Sequence, residues 1–192
     1  MAARSMTAPC TTGDVLARQQ PRYFTVEHAR VWGGEHPCPG SDTRFQCARL
    51  ASLLEAGVTT FIDLTEHGRE NGVTPYRRLM RGAHRHGLPA AYVNVPIVDT
   101  RPPRSWQEAV AILDVMDAAL ANGEMVYVHC RSGVGRTGTL LGLHLVRHGY
   151  SPSEALRALQ TAWSRDPRSV FWPRCPQTES QRRCILESTP WV

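Results

Sequence analysis

A cysteine followed by closely spaced glycines is the feature of this sequence best suited to chemistry. Residues 125–138 read MVYVHCRSGVGRTG, so Cys130 follows a short apolar segment and precedes three glycines. Glycines allow the backbone to curl with its N–H groups pointing inward, and a helix starting near Thr137 would direct its positive N-terminal end to the same point. The pattern predicts a loop that binds an anion and holds a thiol at its centre.

Arg136 and Thr137 lie where such a loop would bring them back beside the sulfur. Arg136 stands six residues after Cys130, and a guanidinium can hold two phosphate oxygens and follow charge onto them in a transition state. The same positive surroundings favour the thiolate form of the cysteine, and the Thr137 hydroxyl can donate to that sulfur. The residues expected to bind phosphate are Arg131, Ser132, Gly133, Val134, Gly135 and Arg136.

The loop resembles the signature of the cysteine-based protein tyrosine phosphatase superfamily, in which His-Cys is followed by five residues and then by Arg and Ser or Thr. The positions that match this signature are His129, Cys130, Gly133, Arg136 and Thr137. The resemblance extends over most of the chain and is nearest to the small dual-specificity-like members. It implies a phosphatase that forms a phosphocysteine intermediate on Cys130, with His129 shaping the loop. No metal ion or organic cofactor is expected, because Arg136 and backbone N–H groups supply the positive charge.

Phosphate-ester cleavage also needs an acid that protonates the departing oxygen. Asp99 lies 31 residues before Cys130, in a loop bounded by Pro96 and Pro103. Members of the superfamily that this chain resembles carry their acid on such a loop at a similar separation. Asp99 is therefore the expected acid, although an aspartate at this place can also simply form a turn. Asp63, at the end of another predicted strand, is the competing candidate and is expected to anchor backbone near the site.

Two further segments bear on hydrolysis and on the substrate. Residues 177–181 resemble the Gln-Thr-x-x-Gln element of tyrosine phosphatases, whose glutamines orient the water that hydrolyses phosphocysteine, so Gln177 and Gln181 are assigned this role. The competing interpretation is a helix N-terminus with surface glutamines. Tyr76, in the polar loop after the strand that ends near residue 64, is expected to form an aromatic wall beside a substrate ring or to pack beneath that loop.

Strands alternate with helices along the chain, which predicts a single α/β domain with a central, mainly parallel sheet of four to five strands flanked by helices. Residues 1–20 are expected to form a loose tail and residues 21–192 the phosphatase domain. The segment 23–31 is predicted to be an edge strand that enters a turn at Gly33-Gly34, and 77–81 one turn of helix. The remaining predicted strands are 58–64, 91–95 and 125–128, and the remaining predicted helices start near Asp42, Trp106, Thr137, Ser151 and Thr178.

Composition limits the partners and the compartment. The net charge is +5, and all 22 basic residues are arginines, but they are scattered rather than clustered in the stripe typical of a nucleic-acid surface. No apolar run reaches the roughly 20 residues that span a bilayer, and the N-terminus lacks the apolar core of a secretory signal. A cytoplasmic protein without nucleic-acid or membrane partners is therefore expected. The six cysteines show no zinc-ligand spacing, and Cys47 is expected to pack on a helix face.

The expected partner is a phosphorylated protein or peptide, with phosphotyrosine hydrolysed at least as well as phosphoserine or phosphothreonine. The alternatives are a phosphoinositide, an RNA 5′-phosphate, and a catalytically silent module that only binds phosphate groups. Lipid-directed members of the superfamily often have extra basic residues in the loop, whereas Val134 is apolar and only Arg131 adds charge. Silent modules typically lack the cysteine, the arginine or the acid, and this chain retains all three.

Overall fold

The computed structural model describes residues 22–26, 30–85 and 90–188. Over these ranges the chain forms one five-stranded sheet flanked by helices, so the predicted α/β fold class is confirmed. The predicted N-terminal tail, residues 1–20, lies outside the described residues. The assignment of residues 21–192 to one phosphatase domain stays a prediction.

The sheet is parallel except at one edge. Its strands are β1 (Tyr23–Thr25), β2 (Val31–Gly34), β3 (Thr60–Asp63), β4 (Ala91–Asn94) and β5 (Val126–His129). Their order across the sheet is β1-β2-β5-β3-β4, and only the pair β1 and β2 is antiparallel among the described strands. The carboxyl ends of β3 and β5 therefore lie side by side, with Asp63 opposite His129. Parallel sheets place their ligand sites at this edge.

Six α-helices and one short 3₁₀ helix complete the described part of the chain. The α-helices are α1 (Thr43–Glu55), α2 (Arg77–Arg85), α3 (Trp106–Ala121), α4 (Gly135–Arg147), α5 (Pro152–Trp163) and α6 (Glu179–Leu186). The 3₁₀ helix spans Pro167–Val170 between α5 and α6. The predicted helices are confirmed, with α4 starting two residues earlier than the sequence suggested, so that Arg136 and Thr137 lie in its first turn.

Side-chain caps explain where several helices begin. The Asp42 carboxylate accepts from the backbone N–H groups that open α1. Ser151 and Glu154 form a reciprocal capping box at α5, and Thr178 forms one with Gln181 at α6. Such caps satisfy N–H groups that have no partner inside the helix. At the other end of α1, Gly57 has a φ of +97°, the left-handed conformation that glycine adopts without strain.

The prediction of one edge strand followed by a glycine turn is wrong. The segment instead forms two antiparallel strands, and Gly33 and Gly34 are the last residues of β2. A Cβ atom on Gly33 would collide with the Leu141 side chain, and one on Gly34 with the Tyr127 hydroxyl. These glycines are therefore explained by close packing against α4 and β5, which the sequence alone does not reveal.

Two smaller expectations also fail. Cys47 is exposed on α1, and the buried positions of that helix are Gln46, Arg49, Leu50 and Leu53. The expected packing role of Cys47 is therefore wrong, because α1 turns a different face to the sheet. The single turn of helix predicted at 77–81 is the start of the nine-residue helix α2.

Two hydrophobic clusters cover the two faces of the sheet. The larger contains Ile62 and Val128 with residues of α3, α4 and α5, and nearly all of α4 is buried in it. The smaller contains Phe61 and Tyr127 with residues of α1 and α2. Alternate residues of each strand thus point to opposite layers. None of the helices in the described ranges is long and apolar enough to cross a bilayer.

Candidate active site

The glycine-containing loop joins the end of β5 to the start of α4. Cys130 follows β5 directly and is only 3% exposed. Gly133 has a φ of +76°, and a Cβ atom there would lie 2.7 Å from the backbone nitrogen of Glu35. This loop can therefore curl tightly against β2 only with glycine at that position. Its backbone N–H groups and the N-terminus of α4 create a positive environment around the thiol.

A cavity of about 120 Å³ opens beside Cys130. It brings together the predicted nucleophile, arginine, acid and both glutamines, which come from three separate parts of the sequence. Its lining residues are Asp99, Thr100, Cys130, Arg131, Ser132, Gly135, Arg136, Trp172, Gln177 and Gln181. Three of the residues predicted to bind phosphate or act in catalysis do not line it: Val134 and Thr137 are fully buried, and Gly133 lies against β2. The predicted supporting residue His129 and the predicted rim residue Tyr76 are fully buried as well. The Thr137 hydroxyl makes no hydrogen bond to a described residue, so its expected bond to the sulfur stays a prediction.

Arg136 is held by the carboxylate of Glu70, a residue that the sequence did not point to. Its Nη1 and Nη2 donate to the two oxygens of Glu70 at 2.5 and 2.8 Å, and Nη1 also donates to the carbonyls of Leu64 and Ile97. Burial alone would lower the pKa of Arg136, but the hydrogen bond to Glu70 and the nearby negative charges raise it overall. The guanidinium is therefore a permanent positive charge with a fixed orientation.

Part of that guanidinium remains available to a ligand. The buried Nε of Arg136 has no hydrogen-bond partner among the described residues. Nη2 also lies 2.9 Å from the Asp99 carboxylate, which is about half exposed at the mouth of the cavity. Asp99 is thus placed beside the group expected to hold phosphate, on the solvent side of Cys130.

The loop that carries Asp99 is tied to the start of α6. Thr178 donates its hydroxyl hydrogen to the carbonyl of Thr100 at 3.0 Å, and Gln181 donates its side-chain amide to the carbonyl of Arg101 at 3.3 Å. Thr100 has a φ of +63°, a strained conformation for a β-branched residue. This loop, residues 96–103 and called the acid loop below, is therefore held in its conformation by contacts with a segment almost 80 residues later in the chain.

The two glutamines occupy different environments. Gln177 is exposed and lines the cavity, while Gln181 is fully buried. The Gln181 side-chain oxygen accepts from the Thr178 N–H as part of the helix cap, and its nitrogen binds the acid loop. Gln181 therefore positions two segments of the site, and a role for either glutamine in orienting water stays a prediction.

Tyr76 does not form the predicted aromatic wall. Its side chain is fully buried, and its hydroxyl lies 2.5 Å from Nε2 of His129. Burial raises the pKa of this phenol well above its usual value and lowers the pKa of His129. Of the two interpretations of Tyr76, the substrate-facing wall is therefore wrong and the buried ring is the one observed. The ring braces the histidine that precedes Cys130, at the start of the loop of residues 129–137, called the catalytic loop below.

Asp63 lies in the same buried layer and anchors backbone, as expected. Its carboxylate accepts from the N–H and hydroxyl of Thr65 and from the hydroxyl of Tyr92. Burial opposes ionisation, but the electrostatic influence of the neighbouring His129 and the hydrogen bonds from His67 and Thr65 lower the pKa of Asp63 overall. A carboxylate with these partners, and without exposure to the cavity, is poorly placed to give a proton to a substrate.

His36 completes this buried polar layer. Its Nδ1 accepts from the N–H of Cys38, and burial lowers its pKa to about 3, so the ring is neutral. Ligand atoms of His36, Asp63 and His129 lie within 4.8 Å of one another. Asp63 and His129 already have the partners described above, and the backbone N–H of His36 donates to the carbonyl of Arg131, so this buried layer supports the catalytic loop.

A second arginine, Arg168, also contacts the catalytic loop, and the sequence did not predict this contact. Arg168 donates to the carbonyl of Ser132 at 2.9 Å and forms a two-point ion pair with Asp166. Its guanidinium stacks over the ring of Trp163. The sequence offers no periodicity or motif that connects the 3₁₀ helix containing Arg168 with the loop around Cys130.

The comparisons with known proteins agree with this geometry. Residues 38–179 match the family described as the Swiss Army Knife protein, DSP-PTPase phosphatase domain. Protein 067L of Invertebrate iridescent virus 3, which is named as a tyrosine phosphatase, is 30% identical over 144 residues, covering 71% of this chain and 56% of that protein. Protein 197R of Invertebrate iridescent virus 6, named in the same way, is 33% identical over 110 residues, covering 55% of this chain and 38% of that protein.

Solved structures share the fold. The kinase associated phosphatase KAP, with its catalytic cysteine replaced by serine, superposes with a TM-score of 0.68 at 16% identity, covering 88% of this chain and 93% of that one. Tk-PTP in its active form gives a TM-score of 0.64 at 21% identity, covering 85% and 95%. At these identities the likeness concerns the fold alone. Together with the family match over residues 38–179, it shows that this chain belongs to the cysteine-based tyrosine phosphatase superfamily, in the family of dual-specificity-type phosphatase domains.

Proposed function

We propose that this chain hydrolyses phosphate monoesters, with phosphotyrosine in proteins or peptides as the preferred substrate. The observation that supports this most directly is the meeting of Cys130, Arg136 and Asp99 at one small cavity. A nucleophile, a fixed cation and an exposed carboxylic acid are the three groups that phosphoryl transfer through cysteine needs.

In the proposed first step, the Cys130 thiolate attacks phosphorus while the ester oxygen departs on the opposite side. The new S–P bond replaces the O–P bond, and Asp99 gives its proton to the leaving oxygen. Arg136 and the loop N–H groups hold the remaining phosphate oxygens, and the Nε of Arg136 is free of described partners for this purpose. Glu70 keeps the guanidinium in the required orientation.

In the proposed second step, water hydrolyses the phosphocysteine. The oxygen of the water attacks phosphorus while Asp99, now a carboxylate, takes a proton from that water. The S–P bond breaks and the Cys130 thiolate leaves. Gln177, at the cavity mouth, is the side chain best placed to orient that water, and Gln181 acts with it by holding the acid loop. The positive charge of Arg136 and the loop serves both steps, so neither step calls on a metal ion.

The preference for an aryl phosphate has support from the cavity wall. Trp172 lines the cavity, whereas its neighbour Phe171 is 76% exposed and does not line it. An aromatic ring at this position can stack on a phenyl ring, an interaction of about 0.5–1.5 kcal/mol. Cys130 is also nearly inaccessible at the bottom of the cavity, which favours a long, flat phosphotyrosine over a short alkyl phosphate.

The test is to compare kcat/KM on phosphotyrosine and phosphothreonine peptides of identical sequence, alongside a phosphoinositide and a 5′-phosphorylated RNA. We expect phosphotyrosine to be hydrolysed best, and Trp172→Ala to reduce the tyrosine-to-threonine ratio roughly 2- to 10-fold through loss of stacking. Phe171→Ala is the matched control, since it removes a neighbouring ring that does not line the cavity.

Three outcomes would contradict parts of this proposal. A preference for phosphothreonine, the lipid or the RNA would overturn the substrate assignment. An unchanged ratio in Trp172→Ala would remove only the stacking wall. Phosphate binding without any turnover would indicate a silent binding module. A cytoplasmic location remains a prediction from the sequence.

A further inference from the structure

A second cluster of titratable side chains lies away from the cavity, between α3 and α4. His144 lies in the last turn of α4, His148 is the residue that caps the C-terminal end of that helix four positions later, and Asp117 faces them from α3. Residues four apart share one face of a helix. None of these three residues lines the catalytic cavity or takes part in the proposed reaction.

The distances within this cluster match those between ligands of one metal ion. The Asp117 Oδ1 atom lies 3.0 Å from Nε2 of His148 and 3.7 Å from Nδ1 of His144. One ligand atom from each residue lies within 4.8 Å of the others. Ligands bound at about 2.0–2.2 Å to a tetrahedral ion lie about 3.3–3.6 Å apart. The two separations from Asp117 differ from the tetrahedral ones by about 1 Å or less, and the two imidazole atoms lie within 4.8 Å of each other. Small side-chain movements would therefore bring all three atoms into one coordination sphere.

The surroundings also orient the ligands and suit a cation. The second Asp117 oxygen lies 2.9 Å from Nε of Arg147, which turns Oδ1 toward the two imidazoles. Asp114 pairs with the same guanidinium at 2.5 Å and offsets its charge. Secondary contacts of this kind fix the geometry of metal ligands in proteins. The cluster lies at the C-terminal end of α4, where the helix dipole favours positive charge.

We propose that Asp117, His144 and His148 form a binding site for a divalent transition metal ion, with Zn²⁺ as the best-fitting ion. Two neutral imidazoles and one carboxylate are ligands typical of zinc, and a fourth position would be completed by water. His148 is 39% exposed and gives the ion a path from solvent, while His144 is buried. The site would join α3 to α4, whose opposite end carries Arg136.

The experiment uses the full chain after removal of metal with a chelator and dialysis. Isothermal titration with Zn²⁺ should show one zinc ion bound by Asp117, His144 and His148. The midpoint of thermal unfolding, Tm, should rise by about 5–10 °C at a free zinc concentration 100-fold above Kd. Titration with Co²⁺ should give visible d–d bands without a thiolate charge-transfer band, because the ligands are nitrogen and oxygen. This last measurement separates the site from the cysteines, including Cys130.

The variants are His148→Ala and Asp117→Asn, whose side chains are partly exposed, with folding checked by circular dichroism. Each should weaken Zn²⁺ binding at least about 10-fold and abolish most of the thermal shift. Glu108→Gln is the matched control, because it removes a carboxylate at the other end of α3 that contacts neither the proposed ligands nor Arg147. A cobalt spectrum dominated by thiolate, or equal binding by wild type and both ligand variants, would overturn the proposal. Because binding is read without substrate, this result is independent of phosphatase activity.

Discussion

The catalytic loop and the acid loop meet at one cavity but are built differently. The catalytic loop, residues 129–137, is enclosed: Cys130 is 3% exposed and Arg136 is 1% exposed. The acid loop, residues 96–103, lies on the surface, and the Asp99 side chain is 51% exposed. The group that would bind phosphate is thus fixed before substrate arrives, whereas the group that would transfer the proton sits on a less constrained segment.

The supporting contacts show the same difference. The catalytic loop is held by backbone and buried charged groups, including Arg168 bound to the Ser132 carbonyl and the Arg131 carbonyl bound to the N–H of His36. The acid loop depends on side-chain hydrogen bonds from Thr178 and Gln181. We therefore expect changes in the first region to abolish the reaction or weaken the fold, and changes in the second to alter the rate selectively.

The largest expected effect comes from Cys130→Ser. Turnover should fall by at least about 10⁴-fold, since removal of a nucleophile typically costs this much or more. Phosphate or vanadate binding, measured by isothermal titration, should persist because Arg136 and the loop N–H groups remain. Wild-type-like hydrolysis by this variant would exclude the covalent mechanism, and lost anion binding would show that the loop is not preformed.

Asp99→Asn should give the next largest effect, and a selective one. The rate of phosphoryl transfer to the enzyme should fall about 10²–10⁴-fold for substrates with poor leaving groups. Activated aryl phosphates should be affected least, because they depart without protonation. The measurement is a leaving-group series at fixed pH. An equal loss across the series would assign the acid role to another residue, and no loss at all would show that no acid is needed from this loop.

The same difference explains what could be predicted from the sequence. The catalytic loop is contiguous, so Cys130 and Arg136 could be identified from spacing and glycine content together with the family signature. The fold class also followed, because strands and helices alternate along the chain. Glu70 and Arg168 could not be identified, since they reach the loop from segments 66 and 36 residues away, and no local pattern encodes that approach.

The errors have the same physical origin. For Tyr76 the polar sequence around it left open a substrate-facing ring or a buried one, and only tertiary packing, which places its hydroxyl against His129, selects the buried ring. Gly33 and Gly34 suggested a turn, whereas they allow close contact with α4 and β5. The proposed metal site has no local signature in the sequence either, because His144 and His148 need Asp117 from another helix as a third ligand.

A smaller effect should appear in stability and test the buried layer under the catalytic loop. Burial lowers the pKa of His36 to about 3, and the neighbouring His129 acts in the same direction. An unfolded histidine titrates near pH 6.5, so between these two values the unfolded chain binds more protons and stability falls as the pH falls. From pH 6.5 to 5, this one group should cost about 1.6 kcal/mol, because the unfolded histidine is half protonated at pH 6.5 and the slope approaches about 1.4 kcal/mol per pH unit only below that value.

The comparison variant is His36→Asn, whose side-chain oxygen can still accept from the N–H of Cys38. Urea unfolding at several values between pH 6.5 and 5 should show a pH-dependent loss that is smaller by about 1.6 kcal/mol in the variant. His67→Asn serves as the control, because a hydrogen bond to Asp63 raises the pKa of His67 and its contribution has the opposite sign. Identical pH dependence in wild type and His36→Asn would show that this histidine is protonated at little cost.

The smallest expected effect concerns the hydrogen bond that links the acid loop to α6. Thr178→Gly removes the hydroxyl that donates to the Thr100 carbonyl at 3.0 Å, while glycine remains an acceptable residue at a helix start. Because one hydrogen bond contributes about 0.5–1.5 kcal/mol, kcat for poor leaving groups should fall roughly 2- to 10-fold. Activated aryl phosphates should be hydrolysed almost as before, since the change acts only through the position of Asp99.

Thr178→Ser separates this effect from a general disturbance of the helix. Serine retains both the cap and the donated hydrogen bond, so it should keep the wild-type dependence on the leaving group. The double variant Thr178→Gly with Asp99→Asn should be no slower than Asp99→Asn alone, because the tether matters only when the acid is present. A further additive loss in the double variant, or equal loss on all substrates, would mean that Thr178 supports the catalytic loop as well and that the two regions are less independent than their contacts suggest.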